Sequence, residues 1–177
     1  MAKGSSLFSL ILTRKVCETL RNPDIILNNL YKKSKEKNYH FERLYRNLYN
    51  PEFYLRAYQT IYAKPGNMTP GTDGTTIDGF SLKRIDEIIE ALKDESYQPM
   101  PVKRVTIPKK NGKKRHLGIP SFNDKLLQEV IRMLLESIYE NSFSRHVHRF
   151  RPKKSCQKIL KKKKKNYTGT KWFVEGD

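Results

Sequence analysis

The Asn-Gly pair at 111–112 restricts the fold of this chain more than any other short stretch. It lies between two segments, VKRVTIP and RHLGIP, in which apolar and polar residues alternate. Alternation is typical of a strand, and Asn-Gly supplies the positive φ that a tight primed turn requires. The stretch therefore predicts an antiparallel hairpin, with Val105 and Ile107 on one face and with Leu117 and Ile119 repeating the pattern after the turn.

Two amphipathic helices are predicted before the hairpin. Asn50 and Pro51 form a helix start, after which FYLRAYQTIY continues the helix to about Tyr62. Ser81 can cap the second helix. Its apolar residues recur at intervals of three and four, and they are Ile85, Ile88, Ile89 and Leu92.

Residues 121–140 predict a longer helix, which we expect to pack under the hairpin. Its apolar stripe consists of Leu127, Val130, Ile131, Leu134, Leu135 and Ile138. Its acidic residues fall on other faces, and they are Asp124, Glu129 and Glu136. The pattern as a whole predicts an α+β fold that is mostly helical.

A long loop is predicted ahead of the second helix. Residues 64–79 contain four Gly, two Pro and two Asp, which excludes a regular helix. Loops of this length in compact domains are usually functional or disordered. Beyond residue 140 the chain continues with a basic run, a lysine-dense helix or arm (SCQKILKKKKKN) and a strand-like stretch (KWFVEGD).

Positive charge is concentrated toward the end of the chain. The 177 residues include 36 Lys and Arg against 18 Asp and Glu, which gives a net charge of +18. Residues 101–177 hold 21 of these cations and only 6 of the anions. A concentrated basic surface is typical of a protein that binds a polyanion, because each neutralised phosphate releases condensed counterions. Nucleic acid is the favoured partner, and a merely soluble surface or an anionic membrane is the alternative.

Several other classes of protein fit the sequence poorly. No apolar run approaches the roughly 18–20 residues of a membrane span, and SLFSLIL near the start is not flanked like a secretory signal. Cys17 and Cys156 lack metal-ligand spacing, and the four histidines do not complete a metal site. We therefore expect an intracellular protein with neither a disulfide framework nor a zinc site.

Three stretches are candidates for chemistry. Lys109 and Arg115 lie on opposite sides of the turn and can converge on one triphosphate, because Arg offers a planar fork and Lys a compact charge. A charged hairpin tip that prevents aggregation is the alternative there. The FRPKKS block combines Arg151 with two lysines and an aromatic, a mixture that can hold phosphate and stack a base. Asp177, after a strand-like stretch, can ligate Mg²⁺, and an ordinary polar turn after an edge strand is the alternative there.

Four blocks, taken in order, resemble the group II intron-encoded reverse transcriptase and maturase family. They are FYLRAYQTIYAKPGNMTPGTDGTTIDG, YQPMPVKRVTIPKKNGKKRHLGIPSFNDKLLQEVIRMLLESIYE, FSRHVHRFRPKKSCQKIL and KWFVEGD. The resemblance covers about residues 50–177. It implies the fingers subdomain of a right-hand polymerase, with a β-hairpin packed on helices, ending at the first palm strand. The implied domains are a helical extension at 1–49, fingers at 50–171 and a truncated start of the palm at 172–177.

The resemblance also implies roles for individual residues. Lys109 and Arg115 correspond to fingers residues that contact the triphosphate of the incoming nucleotide, and Asp177 to the first metal-binding aspartate, which would be catalytic and hold Mg²⁺ in the full-length parent. The loop at 64–79 resembles the lid that covers the template. The residues expected to bind RNA are Lys64, Asn67, Thr69, Lys103, Arg104, Lys110, Lys113, Lys114, His148, Arg149, Phe150, Arg151, Lys153 and Lys154.

Two departures from the family pattern matter for function. Arg149 stands where the family usually has a small residue, which affects how closely the template can approach. The sequence ends at Asp177, without the Tyr-Ala-Asp-Asp pair, the thumb or the maturase-specific domain of the family. Because two-metal catalysis needs several carboxylates, we expect this chain alone to be inactive and a full-length parent to be an RNA-directed DNA polymerase.

The expected partners follow from the same resemblance. They are group II intron RNA, a template of RNA or DNA, and a deoxynucleoside triphosphate, with a homodimer left open. The expected location is the bacterial cytoplasm or an organelle. Two alternatives remain for the function, namely a maturase-type RNA-binding module without polymerase activity and a non-specific polyanion binder.

Overall fold

The computed structural model describes residues 22–144, 147–148, 151, 154–169 and 171–172 of the chain. The chain divides into two compact units, with the boundary between Asn141 and Ser142. Four of the predicted site residues lie outside the described residues, namely Arg149, Phe150, Lys153 and Asp177. The strand predicted near the end of the chain lies largely outside them as well.

The first unit combines helices with one hairpin, which confirms the α+β class. Its α-helices are α1 (Pro23–Lys33), α2 (Pro51–Tyr62), α3 (Leu82–Lys93) and α4 (Phe122–Tyr139), with short 3-10 helices at Leu44–Tyr49 and Ile77–Gly79. The strands β1 (Lys103–Pro108) and β2 (Lys114–Ile119) form a two-stranded antiparallel sheet. In the second unit, α5 spans Cys156–Asn166. The lysine-dense stretch is therefore a helix.

Side-chain caps fix the starts of the main helices. The side-chain oxygen of Asn50 accepts a hydrogen bond from the Glu52 backbone N–H at 3.1 Å, and that of Ser81 accepts one from Arg84 N–H at 3.2 Å. Caps of this kind contribute about 1 kcal/mol each, because they satisfy backbone donors that the helix itself leaves without partners. The helix starts predicted at Asn50 and Ser81 are confirmed.

The hydrophobic core lies among α2, α3 and α4. The stripe predicted for α3 is buried throughout, and Ile77 from the long loop joins it. The largest completely buried side chains are Phe53, Tyr54, Ile77, Ile85, Phe122, Leu126 and Val130. The helix α1 adds partly buried residues at the edge of this core, including Leu27 and Leu30.

The buried face of α4 agrees with the prediction in part, because four residues of the predicted stripe are buried, namely Leu127, Val130, Leu134 and Ile138. Ile131 and Leu135 are 36% and 45% exposed, whereas Leu126 and Met133 are buried. Apolar residues surround more than half of this helix, so the spacing alone allows more than one buried face. The acidic residues also differ from the prediction, because Asp124 and Glu129 are only 5% and 8% exposed.

The hairpin forms at the predicted place but with a different turn. Gly112 has a φ of +77°, whereas Asn111 does not have a positive φ. Gly112 N–H donates to the Lys109 carbonyl at 3.0 Å, and Lys109 N–H donates to the Lys113 carbonyl at 2.8 Å. This is a three-residue loop with a left-handed glycine, not a two-residue primed turn. The Asn111 side chain instead accepts from Lys113 N–H at 3.2 Å.

The hairpin does not rest on α4 as predicted. Along both strands only Val105 and Ile119 are even half-buried, and Ile107 and Leu117 are 44% and 40% exposed. The buried apolar residues of the helices pack against one another, and no hairpin residue belongs to that core. The two strands are therefore held to the helical layer through their ends.

Candidate nucleic-acid interface

The register of the hairpin divides its cations between two faces. Directly opposed residues of an antiparallel pair lie on the same face, and successive residues alternate. Ile107 is paired with Arg115, and Lys103 with Ile119. The first face, called the Arg115 face, therefore carries Lys103, Val105, Ile107, Lys109, Lys113, Arg115, Leu117 and Ile119. The second, called the Arg104 face, carries Arg104, Thr106, Pro108, Lys114, His116 and Gly118.

Lys109 and Arg115 are neighbours on the Arg115 face. Arg115 lies opposite Ile107, and Lys109 follows Ile107 by two residues, so the two cations are diagonal neighbours across the strands. Lys113, hydrogen-bonded across the turn to Lys109, adds a third cation to this face. All three side chains are exposed. The geometry can present one planar guanidinium and two ammonium groups to a single polyanionic ligand.

The Arg104 face has a different composition. Thr106 and His116 are paired across the strands, and the Thr106 hydroxyl lies 3.1 Å from His116 Nδ1. Arg104 and Lys114 lie toward the two ends of this face and are exposed. Lys110 lies in the turn and is also exposed. The predicted RNA-binding cations of the hairpin are thus split, with Lys103 and Lys113 on the face that holds Arg115.

The long loop is held against the base of the hairpin. Lys125 Nζ of α4 donates to the Thr69 carbonyl at 2.7 Å, and the Thr72 hydroxyl donates to the Pro101 carbonyl at 2.7 Å. Gly71 approaches the backbone of Ser121 so closely that a Cβ there would lie 2.7 Å from Ser121 Cα. The loop and the hairpin therefore meet where α4 begins, and Thr69 lies at that junction.

Lys64 and Asn67 are engaged at the start of the loop. The Asn67 side-chain amide donates to the Tyr62 carbonyl at 2.9 Å, which satisfies a carbonyl at the end of α2. Lys64 Nζ lies 3.7 Å from a carboxylate oxygen of Glu129, while its side chain stays 56% exposed. Arg132 also donates to Glu129, from Nη2 at 2.7 Å and from Nε at 3.0 Å. Glu129 thus joins the loop to α4.

The pKa of Glu129 leads to a testable pH dependence. Burial raises it, but hydrogen bonds and charges from Arg132 and Lys64 together lower it more, so the pKa lies below its ordinary value. An ionised carboxylate with a depressed pKa stabilises the fold above its unfolded pKa of about 4.3, and that contribution is lost as the pH falls through the lower folded-state pKa. We expect Glu129→Gln to melt below wild type at pH 7, with the difference shrinking as the pH falls below about 4.

Thermal unfolding measured from neutral to acidic pH checks this expectation. Glu87→Gln is the matched control, because Glu87 is an exposed helical glutamate that lies 4.0 Å from Lys83 Nζ. The control should melt close to wild type throughout the pH range, since exposed pairs contribute little. A Glu129→Gln difference that stayed constant with pH would show that the ionised carboxylate is not what stabilises the fold.

Sequence reasoning missed a buried hydrogen-bond network at the start of α4. The Asp124 carboxylate accepts from Tyr97 Oη at 2.7 Å, from Ser121 Oγ at 2.6 Å and from the Met100 backbone N–H at 3.1 Å. Asp124 N–H in turn donates to Ser121 Oγ at 3.2 Å. A Ser three residues before an acidic residue is a sign of a reciprocal helix cap. That signal identifies Ser121 and Asp124, but not their partners upstream.

The second unit holds the remaining described candidates. Arg151 Nη1 donates to the Ser144 and Val147 carbonyls, each at 3.0 Å, and its guanidinium lies 5.3 Å from the Phe143 ring centre. Arg151 therefore stabilises the loop in which it lies, whether or not it also contacts a ligand. His148 is half-buried and Lys154 is exposed. On α5 the exposed lysines are Lys158, Lys161, Lys162, Lys163, Lys164 and Lys165.

The described residues offer no metal centre. Within them, no group of three or more His, Cys, Asp or Glu side chains is placed to hold an ion. Asp177, the residue to which the resemblance assigns Mg²⁺, lies outside the described residues. In the same part of the chain, no helix combines the length and the apolar character needed to cross a bilayer.

Comparison with known proteins bears on what this arrangement does. The model of the reverse transcriptase (RNA-dependent DNA polymerase) family matches residues 107–177, which begin within the hairpin. The group II intron-encoded protein LtrA of Lactococcus lactis subsp. cremoris is 50% identical over 154 residues, which cover 86% of this chain and 26% of LtrA. An uncharacterized 91 kDa protein in a cob intron of Schizosaccharomyces pombe is 42% identical, over 86% of this chain and 20% of its own length.

A third relative is protein YkfC of Escherichia coli, which is 34% identical over 77% of this chain and 38% of its own length. The chain spans only about a quarter of LtrA. The family match covers the end of β1, the whole of β2 and α4, and the basic second unit, and the alignments with the relatives include most of the chain. On these matches, the chain belongs to the family of group II intron-encoded reverse transcriptases and maturases.

Proposed function

We propose that this chain is the RNA-binding fingers region of an RNA-directed DNA polymerase that acts on group II intron RNA. The observation that supports this most directly is the Arg115 face, where Lys109 and Arg115 are exposed diagonal neighbours on one hairpin. A nucleoside triphosphate fits such a face, because guanidinium and ammonium groups together neutralise adjacent phosphates. The ordered loop beside the hairpin base supports a template-covering role for residues 64–79.

The proposed reaction assigns roles to residues of this chain. Lys109 and Arg115 bind the triphosphate and stabilise the charge that develops as the primer hydroxyl attacks. The cations of the Arg104 face, with Lys110, contact the RNA backbone. Mg²⁺ supplies Lewis-acid chemistry in this class of reaction. Asp177, which lies outside the described residues, is the candidate ligand in a full-length polymerase.

The nucleotide role of Arg115 is tested in a full-length polymerase that carries this sequence. Arg115→Ala should raise the KM for the deoxynucleoside triphosphate roughly ten- to a hundredfold, because a charge-assisted hydrogen bond to phosphate is lost. Steady-state kinetics with varied nucleotide measure the effect. Lys83→Ala removes an exposed cation of α3, outside the proposed interface, and should leave this KM near wild type. Equal KM values for wild type and Arg115→Ala would rule out the nucleotide role.

A second function is favoured by the other basic surfaces. The Arg104 face and the lysines of α5 are exposed and need no nucleotide to be useful. They suit a maturase-type module that binds structured intron RNA through its backbone and 2′-hydroxyl groups. Both functions can belong to one protein, and a homodimer is compatible with either. A bacterial cytoplasm or an organelle is the location that we propose for both.

A further inference from the structure

The hairpin carries the proposed nucleotide-binding cations but has little packing of its own. Both strands are exposed over most of their length, and none of their residues enters the hydrophobic core. A hairpin with so few contacts can change its orientation relative to the helices unless its ends are fixed. The direction of the Arg115 face therefore depends on the residues just before β1 and just after β2.

The segment before β1 is fixed at several points. The backbone N–H groups of Ser96 and Tyr97 both donate to the Ala91 carbonyl of α3, at 2.9 and 3.1 Å. The Tyr97 hydroxyl and the Met100 N–H then donate to the Asp124 carboxylate of α4, at 2.7 and 3.1 Å. The segment that leads into β1 is thus bonded to two helices within five residues.

The segment after β2 ends on the same carboxylate. Ser121 has no exposed surface, and its hydroxyl donates to Asp124 at 2.6 Å. Ser121 comes two residues after the end of β2 at Ile119. One side chain, 5% exposed, therefore holds the chain both before and after the hairpin.

We propose that Asp124, through Tyr97 and Ser121, is a positioning residue that fixes the direction of the hairpin and thereby places Lys109 and Arg115 against the nucleotide. The second half of this inference rests on the proposed function. A carboxylate suits the task, because two acceptor-only oxygens take three donors here. An asparagine has one acceptor oxygen in its place, so it cannot take all three donors in the same geometry.

The first test uses the 177-residue chain and needs no polymerase activity. Amide residual dipolar couplings of the hairpin and of α2–α4 are measured and fitted to a single alignment tensor. Wild type should fit one tensor. In Tyr97→Phe and in Asp124→Asn the hairpin couplings should shrink and depart from the tensor of the helices. Couplings of the hairpin that stay on that tensor in both variants would overturn the inference.

Tyr54→Phe is the matched control. Tyr54 is completely buried, and its hydroxyl donates to the Leu48 carbonyl at 2.9 Å rather than to Asp124. This variant also loses one tyrosine hydrogen bond and should be destabilised in a similar way. Its hairpin couplings should nevertheless match those of wild type. Hairpin couplings reduced equally in Tyr54→Phe and Tyr97→Phe would indicate general loosening and would contradict a positioning role.

The second test is a double-mutant cycle in the full-length polymerase. Tyr97→Phe should raise the nucleotide KM roughly three- to tenfold, the range expected from loss of one hydrogen bond, with kcat little changed. In an Arg115→Ala background the same substitution should have a clearly smaller effect, because one of the two cations that Tyr97 positions is already missing. Additive effects would refute that coupling. An Arg115→Ala variant with normal KM would instead refute the nucleotide-binding function, leaving the dipolar-coupling result to decide the positioning.

Discussion

Replacing Gly71 with alanine is expected to lower the free energy of unfolding by about 3 kcal/mol, at the upper end of the cost of overpacking. The added Cβ would lie 2.7 Å from Ser121 Cα, 2.9 Å from Ser121 N and 3.0 Å from the Pro120 carbonyl oxygen. All three are backbone atoms, and Ser121 is completely buried. Relief therefore requires the loop or the start of α4 to move.

Such a movement has consequences for the interface. Thr69 and Thr72 flank Gly71, and their hydrogen bonds to Lys125 and to the Pro101 carbonyl connect the loop with α4 and the hairpin. Shifting the loop would weaken both of these hydrogen bonds. Urea denaturation, monitored by circular dichroism, measures the expected loss of stability through the change in midpoint.

Gly118→Ala is the control for Gly71→Ala. A Cβ at Gly118 would lie 3.2 Å from Cγ2 of Val102, a side chain that is itself 57% exposed and can turn aside. We expect this variant to lose no more than about 1 kcal/mol. If Gly71→Ala were as stable as Gly118→Ala, the close approach of the loop to α4 would not be a real constraint on the fold.

Local signals in the sequence were sufficient where the structure depends on neighbouring residues. The caps at Asn50 and Ser81 need only the backbone two or three residues further on. The hairpin needs only a glycine that accepts positive φ between two alternating segments, and Gly112 supplies it. The type of turn was harder to predict, because Asn-Gly is compatible with both two- and three-residue loops.

The same local signals could not predict contacts between residues that are far apart in the sequence. The burial of Asp124 depends on Tyr97, 27 residues earlier, and no periodicity connects the two. The packing of Gly71 against Ser121 has the same character. In α4, Ile131 and Leu135 belong to an apolar surface too wide to define one face, so the pattern could not tell which residues enter the core.

Part of the candidate site could be predicted, because it depends on the alternation of neighbouring residues along the two strands. The alternation of strand residues places Lys109 and Arg115 on one face, and the register agrees with that placement. The same alternation separates Arg104 and Lys114 from Lys103 and Lys113, although all four were expected from the sequence to bind RNA. The roles of Lys64 and Arg151 in holding their own loops required side-chain contacts that only the structure gives.

Binding of this chain to RNA is expected to weaken about a thousandfold between 50 and 200 mM salt, if six or more phosphates are contacted. The excess of cations in residues 101–177 makes contacts of that number reasonable. Each contact neutralises a phosphate and releases condensed counterions, so the logarithm of the affinity falls linearly with the logarithm of the salt concentration. Titration of labelled group II intron RNA at several salt concentrations measures this slope.

The lysines of α5 should account for part of the slope. Lys161 and Lys165 are exposed and lie one helical turn apart. Replacing both with glutamine should reduce the slope by roughly 1.4 for single-stranded contacts, at about 0.7 per phosphate. The control is Lys83→Gln with Lys93→Gln on α3, where each lysine has a glutamate within 4.0 Å. An unchanged slope in the α5 variant would exclude α5 from the RNA-binding surface.

A scrambled RNA of equal length separates the functions that the basic surface allows. Charge alone binds both RNAs equally, with affinities that fall together as salt is added. Recognition of intron structure requires shape and 2′-hydroxyl contacts, which are less sensitive to salt. If the chain still binds intron RNA more tightly than scrambled RNA at high salt, maturase-type recognition lies within this chain. Equal binding at every salt concentration would leave this part of the protein with the electrostatic contribution alone, and specificity would have to come from elsewhere.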